Sequence, residues 1–297
     1  MSGLLLGAVA YDPKVVTIWD GFRTWLRGPD GGLDFDYVLY SNYERQVEDL
    51  VAGRVDVAWN SPLAWIRARR LAAARGVTLT PVTMRDTDQD LRSVVVVRAD
   101  SPVRSLAGLR GRVVASGAVD SPQATLLPLS LLHAAGLRVD SQNPDSQNTD
   151  SDVQVRRFDI GVGLHGDHIG GEREAARALF GPDPVDAAFM IDSNLLLFAR
   201  EGILPSGSVR VLAQTPLYDH CTMTAGPSAD QALTDRFTAL LLGMDYADAD
   251  LRPLLDLEGL KQWLPPRLDG YRQLERAVDE TGFYDAEGAI RAGDYRP

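Results

Sequence analysis

The apolar positions fall into two repeating patterns, short unbroken runs and runs with helical spacing, and these predict a chain of alternating strands and helices. Leu4 to Ala10 reads as a strand that ends in Tyr11-Asp12-Pro13. Val15, Ile18, Trp19, Phe22 and Leu26 then mark a helix over 14–27. Phe35 to Leu39 is a second strand, with Tyr40-Ser41-Asn42-Tyr43 at its end, and a helix over 43–52 stops at Gly53. Val55 to Trp59 is a short buried strand, and Asn60-Ser61-Pro62 opens a helix over 62–75. Leu79 to Met84 and the Val run Ser93 to Arg98 are strands, the second buried on both faces; RDTDQDLR between them reads as a polar loop. Arg112 to Ala115 is a strand that ends in the small polar stretch 116–121, where Ser121 caps a helix over 123–135 with Pro122 at its first position.

The polar low-complexity segment Asp140 to Asp152 reads as a solvated loop. After it come a strand over 153–158, a Gly- and His-containing loop over 161–168, a helix over 170–180 and a strand over 209–213. Thr222 to Ala225 is a returning strand, with the Val run as its candidate partner. Helices follow over 229–244, 249–254 and 271–281, and the tail from Phe283 carries no clear pattern.

One pattern occurs twice. VDVAWNS (55–61) and VDAAFMIDS (185–193) both follow an apolar helix end and a Gly turn, and both end in small polar residues. Two such units predict a two-lobed α/β protein with a ligand cleft between the lobes. In open α/β sheets, ligands bind beyond the carboxyl ends of strands, where side chains and free helix N–H groups converge. That makes Asn60 and Ser61 the first candidates, with Trp59 and Tyr11 as apolar walls. Ser116 and Ser121 lie at the end of another strand, where a helix N-terminus favours an anionic group. Asp192 lies at the end of the second repeat.

With 297 residues the chain can build two ordinary domains. A net charge of −11, with Lys14 and Lys261 its only lysines, excludes non-specific nucleic-acid binding. A single cysteine, Cys221, allows no intrachain disulfide and no Cys-based zinc framework. The first residues lack a basic region, and their apolar run is too short for a signal peptide or a membrane span. The chain as given therefore reads as cytoplasmic, and as extracytoplasmic if a leader was removed. The Gly161-x-Gly163 element lacks the third Gly and the Lys-Ser/Thr of a phosphate loop.

GRVDVAWNSPLAW, VVASGAVDSPQATLLPLSLL, HGDHIGGEREAARAL and VDAAFMIDS resemble the phosphonate/phosphate-type substrate-binding proteins of ABC transporters, a branch of the type 2 periplasmic-binding-protein fold. The resemblance runs from Val9 to about Leu268. It implies a two-strand hinge between a first lobe of residues 1–98 and 210–297 and a second of residues 99–209, with crossovers near Arg98 and Val209. It also implies ligand contacts at Tyr11, Tyr43, Asn60, Ser61, Ser116, Ser121, Gln123, His165 and Asp192. The family's Ser- and Thr-dense loop is interrupted here by Ala118-Val119-Asp120, and Asp120 would repel a dianion.

Two functions remain open at this level. One is a solute-binding protein that holds a small anionic or polar organic ligand, phosphonate-, phosphate- or carboxylate-like, and partners an ABC permease if exported. The alternative is a cytoplasmic lyase- or decarboxylase-like enzyme on the same fold, with His165, His168, His220, Asp192 and Cys221 as acid, base or nucleophile. No cofactor is expected. His165, His168 and His220 are a weak metal-binding alternative.

Overall fold

The computed structural model describes residues 3–139 and 152–297, so the low-complexity segment, apart from Asp152, lies outside the described residues. In chain order the elements begin β1 (Leu4–Val9), α1 (Lys14–Arg27), β2 (Phe35–Tyr40), α2 (Tyr43–Val51), β3 (Val57–Asn60), α3 (Pro62–Arg75), β4 (Thr80–Pro81) and β5 (Met84–Arg85). They continue with β6 (Ser93–Arg98), β7 (Arg112–Ser116), α4 (Leu127–Ala134), β8 (Val153–Arg157), α5 (Gly170–Ala178), β9 (Ala187–Ile191), α6 (Asp192–Arg200) and β10 (Val209–Gln214). The last are β11 (Thr222–Ala225), α7 (Gln231–Leu242), α8 (Arg252–Glu258), β12 (Trp263–Leu264) and α9 (Arg272–Thr281).

The chain forms two α/β units. One comprises Met1–Gln89, Asp219–Tyr271 and Tyr284–Ala289, the other Asp90–Tyr218, Arg272–Phe283 and Ile290–Pro297. Each holds a five-stranded mixed sheet, in the order β2-β1-β3-β11-β4 in the first and β10-β6-β9-β7-β8 in the second. In the first, β1 is parallel to both neighbours and β11 runs antiparallel to β3 and β4. The second repeats this plan: β7 is parallel to β8 and β9, and β6 runs antiparallel to β9 and β10.

The sequence repeat occupies equivalent strands, β3 and β9, and its aspartate has the same task in both. Asp56 Oδ2 accepts the Leu5 N–H at 2.8 Å, and Asp186 Oδ2 accepts the Val113 N–H at 3.1 Å. The backbone reinforces each link, with the Asp56 N–H donating to Leu5 and the Asp186 N–H to Val113. Val-Asp therefore pins the start of β3 to β1 and the start of β9 to β7.

Alternation along the strands builds the cores. Val57, Trp59, Met223 and Ala225 face α1, α7 and α8, while Ala58 packs with Leu50 and Val55 on the opposite face. In the second unit Val94 and Val96 join Ala175, Leu179 and Phe198, whereas Val95 and Val97 join Leu129 and Leu132. The Val run is buried on both faces, as its unbroken apolar character requires.

Several expectations change. β11 pairs with β3 and β4 rather than with the Val run, whose neighbours are β9 and β10. Because β6 and β10 both belong to the second sheet, the chain changes unit at 89/90 and 218/219, not near Arg98 and Val209. The residues beyond Tyr271 divide as well. α9 packs on α4, Tyr284 donates to Glu44 Oε1 at 2.6 Å, and Tyr295 packs on Phe283 with ring centroids 4.9 Å apart. Leu79 to Met84 is two short pieces, the second of which pairs with β12.

RDTDQDLR is not a simple solvated loop. Arg85 grips Asp88 through Nε at 2.6 Å and Nη2 at 2.9 Å, and reaches Glu258 Oε1 at 3.2 Å. Asp88 and Glu258 are buried, and the guanidinium lies 5.1 Å from the centroid of the Trp59 ring. Removing the cation would leave two buried carboxylates uncompensated, so Arg85→Ala is expected to cost about 3–5 kcal/mol of stability. Urea unfolding of the variant reads this directly; a loss below about 1 kcal/mol, the size of an exposed ion pair, would show that water takes over the role of Arg85.

Candidate ligand-binding site

In the first unit the strand-end residues are buried. Asn60 closes β3, and its Oδ1 accepts from Gln46 Nε2 at 3.0 Å, while Gln46 also donates to the Trp59 carbonyl at 2.9 Å. Asn60 Nδ2 and Gln46 Oε1 have no hydrogen-bond partner, although both residues are 0% exposed. Such orphan groups are costly unless a ligand or water meets them. Ser61 caps α3, its Oγ accepting the Ala64 N–H at 3.1 Å, with Pro62 at the first position. Tyr43 is fully buried at the start of α2, and Tyr11 is half-buried after β1. Trp59 points the other way, into the core, where it meets Trp263 edge to face at 5.6 Å.

In the second unit two loops interlock. Ser116 closes β7 and donates to the Gly117 carbonyl at 3.3 Å. Ser121 accepts the Ala124 N–H at 3.1 Å, and the chain winds through a π-type turn over Pro122–Leu126 into α4. Gln123 Nε2 donates to the Gly166 carbonyl at 2.8 Å. Asp120 Oδ2 accepts the N–H groups of Gly163 at 2.7 Å and His165 at 3.1 Å. Gly166 has φ +79, and a Cβ there would lie 2.4 Å from Ser121 Oγ, so only glycine lets the loops approach. His165, itself at φ 49, is buried, with Nε2 3.4 Å from the Tyr295 hydroxyl. Asp120 Oδ1 and Gln123 Oε1 are buried without hydrogen-bond partners.

The remaining candidates divide. Asp192 is exposed at the first turn of α6. His168 is exposed, and its Nδ1 accepts the Gly170 N–H at 3.2 Å, the role of a helix-start cap. His165 and His168 belong to the second unit and His220 to the first. The His, Cys and carboxylate ligand atoms that do cluster among the described residues are those of Asp88, His220 and Cys221. A cavity of about 370 Å³ beside α4 and α9 is lined by residues such as Leu129, His133, Phe283 and Arg291, and by none of the candidates.

Asp88 and Tyr295 carry no local signal, because Asp88 meets His220 and Cys221, and Tyr295 meets His165, across more than a hundred residues. Gln46 could have been found, because it sits on the apolar stripe of α2 between Tyr43, Val47 and Leu50. Asp120 is part of the structure rather than an intruder. Burial pushes its carboxyl above the ordinary 3.8, against the pull of His165 and the two N–H groups.

A family model described as "ABC transporter, phosphonate, periplasmic substrate-binding protein" matches residues 8–271. The chain belongs to this family. Among solved structures, PhnD1 of Prochlorococcus marinus (MIT 9301), in complex with methylphosphonate, is 17% identical with a TM-score of 0.64, over 94% of this chain and 98% of that one. A Xanthomonas citri protein bound to ATP is 19% identical with a TM-score of 0.68, over 95% and 98%. A binding protein component of an ABC phosphonate transporter from Pseudomonas aeruginosa is 13% identical with a TM-score of 0.59, over 94% and 86%. These likenesses show the fold, that of periplasmic binding proteins. Ribosomal RNA large subunit methyltransferase H of Methylobacterium radiotolerans is 37% identical over 75 residues; the match spans 24% of this chain and only 46% of that protein's length.

The raised Asp120 carboxyl sets a pH dependence. Below 3.8 the folded and unfolded chains both carry the proton. As pH rises from 3.8 towards the elevated native value, the unfolded chain has lost a proton that the folded state retains, and the stability contributed falls until the native carboxyl ionises as well. Asp120→Asn keeps an acceptor for both N–H groups without the charge. Thermal unfolding across pH should show this variant gaining on the wild type from acid to neutral pH. A variant that instead loses ground would mean that the charged carboxylate is favoured by its surroundings.

Proposed function

We propose that this protein is the solute-binding component of an ABC importer, that it works outside the cytoplasm, and that it delivers a small oxyanion-bearing organic solute to a permease. The observation that carries this reading is the Nδ2 group of Asn60, a buried donor without a partner at the carboxyl end of β3. A ligand oxygen is the simplest group to complete it. Membership of the phosphonate substrate-binding family supports the reading. Within the second unit, taken by itself, Ser116, Ser121, Gln123 and His165 are the proposed polar contacts. Among the described residues no helix is long and apolar enough to cross a membrane.

The enzyme alternative has less support. His168 Nδ1 is taken up by the Gly170 N–H, and Asp192 is exposed. The family is one of solute binding.

Methylphosphonate, bound by a protein of the same fold, is the first probe, with phosphate and longer alkylphosphonates beside it. Isothermal titration should give saturable binding of at least one of these. Asn60→Ala and Ser61→Ala should each weaken it by about 1–3 kcal/mol. Unchanged affinity in both variants would remove the two residues from the site, and no binding of any of these oxyanions would refute the ligand class.

A further inference from the structure

The first unit contains a side-chain cluster that solute binding leaves unexplained. His220 Nδ1 lies 3.1 Å from Cys221 Sγ and 3.6 Å from Asp88 Oδ1, and the ligand atoms of the three residues all fall within 4.8 Å of one another. All three residues are buried. We propose that Asp88, His220 and Cys221 form a binding site for a thiophilic divalent cation of the zinc class.

The spacing fits. Zinc bonds of about 2.0–2.3 Å in a tetrahedral arrangement place ligand atoms about 3.3–3.7 Å apart. Small shifts, with Cys221 Sγ and His220 Nδ1 parting slightly from 3.1 Å, would bring the three atoms around one ion and leave the fourth position for water. The donor types select the metal, because sulfur and imidazole nitrogen suit zinc whereas calcium and magnesium require oxygen. The backbone holds the set in place. The His220 N–H donates to the Asp88 carbonyl at 2.8 Å, the Cys221 N–H to Asp88 Oδ1 at 3.2 Å, and Tyr271 Oη to the His220 carbonyl at 2.9 Å.

Charge is also consistent. Arg85 reaches both Asp88 and Glu258. With Arg85 set against Glu258, a Cys221 thiolate and the Asp88 carboxylate would together match a divalent ion, and the guanidinium, bonded to Oδ2 at 2.6 Å and to Oδ1 at 2.9 Å, would orient the carboxylate. Binding forms a bond from Cys221 Sγ to the metal, breaks the S–H bond and releases that proton to solvent.

The same geometry speaks against a nucleophile. A Cys-His-Asp relay uses opposite ring nitrogens for the thiol and the carboxylate, whereas here a single atom, Nδ1, faces both. The cluster also has a structural connection to Asn60, since Thr222, next to Cys221, pairs with Asn60 in the β3–β11 register. A bound ion would tie down the strand that flanks Asn60.

The test uses full-length, tag-free protein stripped with a chelator and titrated with Co²⁺, with Zn²⁺ then added in competition. Wild type should take up one equivalent of Co²⁺ with a thiolate-to-cobalt charge-transfer band in the near ultraviolet, which Zn²⁺ displaces. Cys221→Ser should abolish the band, and His220→Gln should lose stoichiometric uptake. The proposal is overturned if wild type takes up no metal, if uptake occurs without the charge-transfer band, or if uptake is the same in the variants. Should Cys221→Ser fail to fold, the wild-type band and the His220→Gln titration decide the matter. Neither readout involves the solute, so failure of the metal site and failure of the solute-binding reading are separate results.

Discussion

The position of everything at the carboxyl ends of the strands depends on how the third strand of each sheet starts. A strand can slip in register unless something fixes it, and a slip by one residue turns every side chain to the other face. In this protein the fixing group is a carboxylate. Asp56 holds the Leu5 N–H and Asp186 the Val113 N–H, each just before the strand begins. With the start pinned, Val57 and Trp59 must face one core and Ala58 and Asn60 the other side. A buried Asn60 at the strand end is therefore set by an interaction at the opposite end of β3.

The serines at these ends combine two uses. Ser61 and Ser121 each accept a helix N–H through Oγ, which satisfies a donor that the first turn of a helix cannot pair. A cap takes up a lone pair and leaves the hydroxyl proton to point elsewhere. Capping and ligand contact are thus compatible at a strand–helix junction, and Pro62 and Pro122, lacking an N–H, lose nothing there.

What could be read from the sequence was whatever depends on neighbours along the chain. Helices α1 and α3 and strand β6 fall on the residues expected, because apolar spacing, a Ser-Pro start and an unbroken Val run are local signals. The repeat was visible because its aspartate does the same local task twice. Pairing was not visible. Nothing along Thr222–Ala225 itself names its neighbours, and only tertiary structure seats β11 between β3 and β4. Asp88 was hidden in a polar run, since its burial comes from Arg85, His220 and Cys221, two of them more than a hundred residues away. A grouping by residue type joined the three loop histidines, whereas the fold pairs His220 with a carboxylate and a thiol. The tail had no pattern because its aromatic residues are singly placed, with Tyr284 against Glu44 and Tyr295 against Phe283 and His165.

Asp120 shows how the surroundings change the meaning of a residue. Taken as a fixed negative charge it argues against an anionic ligand. In the structure its Oδ2 already receives two N–H groups, so a proton retained by the buried carboxyl belongs on Oδ1, the oxygen without a partner. A protonated Oδ1 donates a hydrogen bond, as a serine of the family's loop would, whereas an ionised one accepts. An ionised and a protonated Asp120 therefore differ at Oδ1, the oxygen that the two N–H groups leave over, so what the sequence presents as a fixed charge is a group whose hydrogen-bonding role is set by its burial.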